Sequence, residues 1–109
     1  MNKYTAVGLL AAAVEGKQVL VLSPHGHALK DAVDEVHRVA PDLTWRRANG
    51  DARVTLTSGG SIAFITPAQV RSRSADIVLI EDDRDLRPDL LNELRAVIHT
   101  STCGEIIRY

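Results

Sequence analysis

The spacing of apolar residues changes several times along the chain, and each change marks an element. Val19-Leu20-Val21-Leu22 and Ile77-Val78-Leu79-Ile80 are unbroken apolar runs. A strand covered on both faces needs such a run, so both are expected inside a sheet. From His27 to Val39 the apolar positions Leu29, Val33, Val36 and Val39 recur at intervals of three and four, placing one stripe on a helix that Pro41 ends. Residues 4–15, rich in the Ala and Leu that cost least in a helix, predict another, with Gly16 as its stop. Residues 53–57 and 61–66 flank Ser58-Gly59-Gly60, a connection of hairpin length, and are expected to pair antiparallel. Pro88 opens a helix with Leu90, Leu91, Leu94, Val97 and Ile98 on one face, and 105–109 is a short closing strand.

The order α, β, α, hairpin, β, α, β predicts a single α/β domain over residues 1–109: three layers, with a mostly parallel sheet that carries an antiparallel hairpin. Ligands of such sheets sit outside the carboxyl ends of the strands. Two loops reach that edge with unusual chemistry, Ser23-Pro24-His25-Gly26-His27 and Glu81-Asp82-Asp83.

Charge narrows the choice of partners. Thirteen basic against fourteen acidic side chains leave a formal net charge of -1, so no global field draws the chain to nucleic acid or an anionic membrane. Contact with nucleic acid must be local. No apolar run approaches the ~20 residues of a membrane span, and Met1-Asn2-Lys3-Tyr4 does not open a secretory signal, so the expected location is cytoplasmic. The one cysteine, Cys103, excludes an internal disulfide and a multi-cysteine zinc site; a buried structural thiol is the expected role.

Gly16-Lys17 is not a P-loop. No glycine stands five positions earlier, Gln18 replaces the magnesium-holding Ser or Thr, and the pair precedes a strand rather than a helix. The order of the remaining segments nevertheless resembles a known family. Leu22-Ser23-Pro24-His25-Gly26-His27 is similar to the Pro-Thr loop after the second core strand of superfamily 2 helicases and phage terminases, and Ile65-Thr66-Pro67-Ala68-Gln69 to their later Thr-Pro motif. Ile77 to Asp83 resembles the strand ending in Asp-Glu, and His99-Thr100-Ser101-Thr102 the segment that couples hydrolysis to movement.

The resemblance implies a truncated RecA-like core in which the first helix is the one that follows the missing P-loop. Glu81 and Asp82 stand in reversed order relative to the family's Asp and Glu, a change that misplaces both metal and water. The expectation is therefore a non-catalytic, RecA-like binding module of phage derivation, without cofactor, which binds a protein partner or nucleic acid. Glu81, Asp82 and Asp83 would be the remnant of the acidic motif. By the same resemblance Pro24, His25, Thr66 and Pro67 would touch a nucleic-acid backbone. Arg46 and Arg47 beside Trp45, with Arg53, Arg71 and Arg73, offer phosphate contacts, although Trp45 also suits a core position.

The alternative is an enzyme: a metal-dependent hydrolase, or an NTPase subunit, built on His25, His27, Asp82 and Asp83. These would hold a divalent metal such as zinc, manganese or iron that activates water. Finally, loss of the P-loop strand would leave 105–109 at a sheet edge, with Ile106, Ile107 and Tyr109 as interface residues for a second copy or a partner strand. Proline at Ile107 is expected to remove one donor from that edge.

Overall fold

Strand β1 (Gln18–Leu22) lies at the centre of the sheet because both of its faces are apolar, and the rest of the chain is arranged around it. The computed structural model describes residues 1–48, 51–70, 74–81, 88–98 and 104–108. Helix α1 (Lys3–Val14) precedes β1, and α2 (Gly26–Val39), β2 (Thr44–Ala48), β3 (Asp51–Thr55) and β4 (Ser61–Ile65) follow it. A short 3-10 turn (Pro67–Gln69), β5 (Ile77–Ile80), α3 (Pro88–Val97) and β6 (Glu105–Arg108) complete the order.

The six strands form one sheet in the order β2-β3-β4-β1-β5-β6. β1 runs parallel to both β4 and β5, and β5 runs parallel to β6; β3 runs antiparallel to its two neighbours, β2 and β4. The expected α/β class with a mostly parallel sheet and an antiparallel portion is thus what the chain adopts. That portion is larger than a hairpin, because Thr44–Ala48 adds a third antiparallel strand that the sequence reading did not foresee.

Side chains alternate across the sheet and build two cores. On one face Val19, Val21, Val54, Ile62, Phe64, Ile77 and Leu79 pack against Ala6, Leu9 and Ala13 of α1 and Ala32, Val33 and Val36 of α2. On the other face Leu20, Leu22, Val78 and Ile80 meet Leu90, Leu94 and Val97 of α3, with Ile65 and Val70 beside them. Helices therefore cover both faces. The outer side of α1 is also apolar, with Tyr4, Val7 and Val14 exposed. Among the described residues no helix is long and apolar enough to cross a membrane.

Two glycines set how α1 meets the sheet. Gly16 has φ of 89°, the left-handed conformation that stops a helix, and its N–H donates to Ala13 O at 2.9 Å. Gly60 brings the β3–β4 turn against the end of α1, where a Cβ would lie 1.9 Å from Ala13 O. Ser58 Oγ donates to that same oxygen at 2.7 Å, satisfying a terminal helix carbonyl. The turn itself closes through Leu56 N–H to Gly60 O and Gly59 N–H to Leu56 O, which is why β3 stops at Thr55 and not at Thr57.

β6 stands at the sheet edge, as expected for the closing strand. Its outward groups are not the ones expected. Glu105 N–H donates inward to Asp76 O, so by strand alternation Ile107 also turns its amide to β5, and Ile106 and Arg108 present theirs to the open edge. Proline at Ile107 would break the ladder to β5 and leave the edge donors in place. Ile106, half-buried, packs its side chain on the α3 core, and Ile107 is exposed; Tyr109 lies outside the described residues.

Candidate functional site

The parallel strands β4, β1 and β5 end side by side, and hydrogen bonds tie their carboxyl ends together. Ser23 N–H donates to Ile65 O at 2.9 Å, and Glu81 N–H donates to Leu22 O at 3.0 Å. The segment carrying Pro24 and His25 and the one carrying Glu81 therefore share one edge, as the expected topology required, and the segment carrying Thr66 and Pro67 joins them. Asp82 and Asp83 lie outside the described residues, as do Arg71, Arg73, Cys103 and the 99–102 segment.

At this edge the chemistry is turned inward. Ser23 is fully buried, and its hydroxyl donates to Glu81 Oε1 at 3.1 Å. The Met1 ammonium lies 2.9 Å from Glu81 Oε2. Both carboxylate oxygens thus have partners within the chain, and the group ties the ends of β1 and β5 together. The buried Ser23 hydroxyl was not singled out by sequence; a serine directly after a buried apolar strand was its only signal.

His25 is the N-cap of α2: its backbone is extended, and its Nδ1 accepts from Ala28 N–H at 3.2 Å. His27, one step into the helix, lies with its Nε2 3.7 Å from Asp31 Oδ2, and the two imidazoles stack with centroids 6.4 Å apart. Among the described residues no group of three His, Cys, Asp or Glu side chains could hold a metal ion. Replacing His25 by Ala removes the cap and is expected to lower stability by about 0.5–2 kcal/mol, read as a shifted urea midpoint with unchanged slope.

Thr66 and Pro67 shape the neighbouring loop. Thr66 N–H donates to Gln69 Oε1 at 3.0 Å, and Pro67 opens the 3-10 turn, where its missing donor costs nothing.

The arginines beside Trp45 lie away from these loops. Arg46 and Arg47 are on β2, separated from β1 by β3 and β4. Trp45 belongs to the core: its ring lies 5.1 Å from His37 and 6.3 Å from Phe64, and its Nε1 donates to Ala40 O at 3.0 Å. It fastens the end of α2 to the sheet instead of offering a stacking surface. Arg46 is exposed and faces Arg53 directly across the β2–β3 ladder. No model of a protein family matches this chain, and no curated protein matches it.

Proposed function

We propose that the chain is a non-catalytic α/β binding module that takes up a strand of a protein partner, or of a second copy, along β6. The observation that carries this reading is the edge position of β6, with the Ile106 and Arg108 backbone groups turned outward beside an exposed Ile107. An open edge of this kind templates strand addition. The order of segments supports a further step: a RecA-like core of phage derivation. The engaged Glu81 carboxylate and the absence of a P-loop in the sequence support a module without catalysis.

A second reading, contact with a nucleic-acid backbone, is favoured by one observation: the loops bearing Pro24, His25, Thr66 and Pro67 are held together by the Ser23–Ile65 bond.

Proline tests the first reading because it is tolerated on an edge strand only where the amide faces out. Arg108→Pro should leave the fold intact and abolish strand uptake, whereas Ile107→Pro should loosen β6 itself. With a photo-crosslinking residue at Ile107, the wild-type chain in its own cells should give a discrete adduct that Arg108→Pro removes. Sedimentation of the pure protein separates self-pairing from a different partner. An adduct that survives Arg108→Pro, or none at all with a monomeric chain, rejects strand addition.

A further inference from the structure

Helix α1 is apolar on every side, and only its inner side is covered. Between Lys3 and Glu15 it carries no charged side chain. Ala6, Leu9 and Ala13 pack on the sheet, whereas Tyr4, Val7 and Val14 on the outer side are 82%, 47% and 62% exposed. Its neighbour α2 has the ordinary arrangement, with His27, Lys30, Asp31 and Arg38 turned to water and Ala32, Val33 and Val36 buried. A helix that is apolar all round is normally buried all round, so the outer face of α1 calls for a cover.

The spacing along that face points to another helix. The exposed residues Tyr4, Val7, Ala11 and Val14 follow one another at intervals of three, four and three, as the a and d positions of two heptads do. Two heptads cannot hold a coiled coil by themselves, but α1 is already fixed by its inner side. The seam is also complementary to itself. Two copies of α1 laid antiparallel about a two-fold axis level with Leu9 set Tyr4 of one copy against Val14 of the other, and Val7 against Ala11, so a larger residue meets a smaller one in each layer. The same arrangement brings Lys3 of one copy to the end of the pair where Glu15 of the other lies, and it opposes the two helix dipoles. Parallel pairing would gather both Lys3 side chains at one end. Glu15 also meets Lys17 of its own chain at 3.5 Å, so the charges set the direction of pairing and the apolar seam its strength. A lipid surface is a poorer fit, because interfacial helices carry several Lys and Arg on their polar side, and α1 has Lys3 alone in a chain of net charge -1.

We propose that the chain forms a two-fold homodimer in which the outer faces of α1 pack antiparallel. The contact uses none of the backbone groups at the β6 edge.

The test is sedimentation equilibrium of the pure full chain, which should show a reversible dimer with Kd on the order of 10–100 μM, as a small interface gives. Val7→Gln changes an exposed position to a better helix former, so the fold is kept and the dimer should weaken at least about tenfold. Arg95→Glu on α3, across the sheet, should leave it unchanged. Arg108→Pro should leave it unchanged as well, whereas a dimer made by pairing along β6 is lost in that variant; failure of this proposal is thereby told apart from failure of strand uptake. Oxidative cross-linking in a Cys103→Ser background reads the direction. Antiparallel pairing separates the two copies of residue 4 by about 15 Å along the helices, beyond the reach of a disulfide. Tyr4→Cys alone should therefore stay uncross-linked, and Tyr4→Cys mixed with Val14→Cys should cross-link. Disulfide formation by Tyr4→Cys with itself, a dimer indifferent to Val7→Gln, a dimer dissolved by Arg108→Pro, or a chain still monomeric at roughly 1 mM would each overturn the proposal. Binding of such a monomer to phosphatidylcholine and phosphatidylglycerol vesicles, lost in Val7→Gln, would overturn it in favour of a lipid surface.

Discussion

Gly60→Ala is expected to destabilise the domain by about 3 kcal/mol or more, a large share of the 5–15 kcal/mol by which domains are ordinarily stable. The added Cβ would sit 1.9 Å from Ala13 O, 2.7 Å from its carbonyl carbon and 2.9 Å from its Cα, and all three are backbone atoms that cannot swing away. The β3–β4 turn must withdraw from α1, and the Ser58 bond to Ala13 O goes with it. Gly8→Ala is the matched control. A Cβ there meets nothing within 4 Å, and alanine in a helix interior gains roughly 0.5–1 kcal/mol over glycine. Urea denaturation of the two variants should therefore give midpoints displaced in opposite directions. A Gly60→Ala protein as stable as wild type would show that the turn does not press on α1.

Phe64→Ala should cost about 3–5 kcal/mol, the range for removing a buried aromatic ring. Phe64 is 1% exposed, the largest fully buried side chain among the described residues, and its ring lies 6.3 Å from that of Trp45. Its removal opens a void between β4 and α2 and loosens Trp45, whose remaining ties include the His37 ring and the hydrogen bond to Ala40 O. Loss of stability should thus come with a red-shifted, less structured Trp45 fluorescence. Phe64→Leu, which keeps most of the volume, should retain most of both. An unchanged Trp45 spectrum in the alanine variant would deny the coupling.

The central sheet was legible because its strands are apolar on both faces. The runs at 19–22 and 77–80 announced interior positions, and β1 and β5 occupy them. The stripe of Leu29, Val33 and Val36 likewise announced α2. β2 was missed because a strand with one face open to water needs only every second residue apolar. In Thr44–Ala48 the inward Trp45 is outweighed by two arginines. That omission hid the Arg46–Arg53 juxtaposition, since register between strands cannot be read before both are recognised. The meeting of the Ser23 and Glu81 segments was legible, because parallel strands joined by a crossover end at the same side of a sheet. The outward direction of the Ile106 amide was not, because the phase of a ladder depends on which residue makes its first bond, here Glu105 to Asp76.

The central position of β1 has a consequence for synthesis. Both neighbours of β1, strands β4 and β5, come from later in the chain: Leu20 waits for Ala63 on one side and Val78 on the other. A nascent chain that has emerged only as far as α2 therefore displays an apolar strand with both hydrogen-bonding edges vacant. Pairings of such long sequence separation form slowly, and the exposed segment is open to capture or aggregation meanwhile. A chain stopped after α2 is accordingly not a smaller version of this fold but an unpartnered strand between two helices, and the domain becomes self-sufficient only when its second half has left the ribosome.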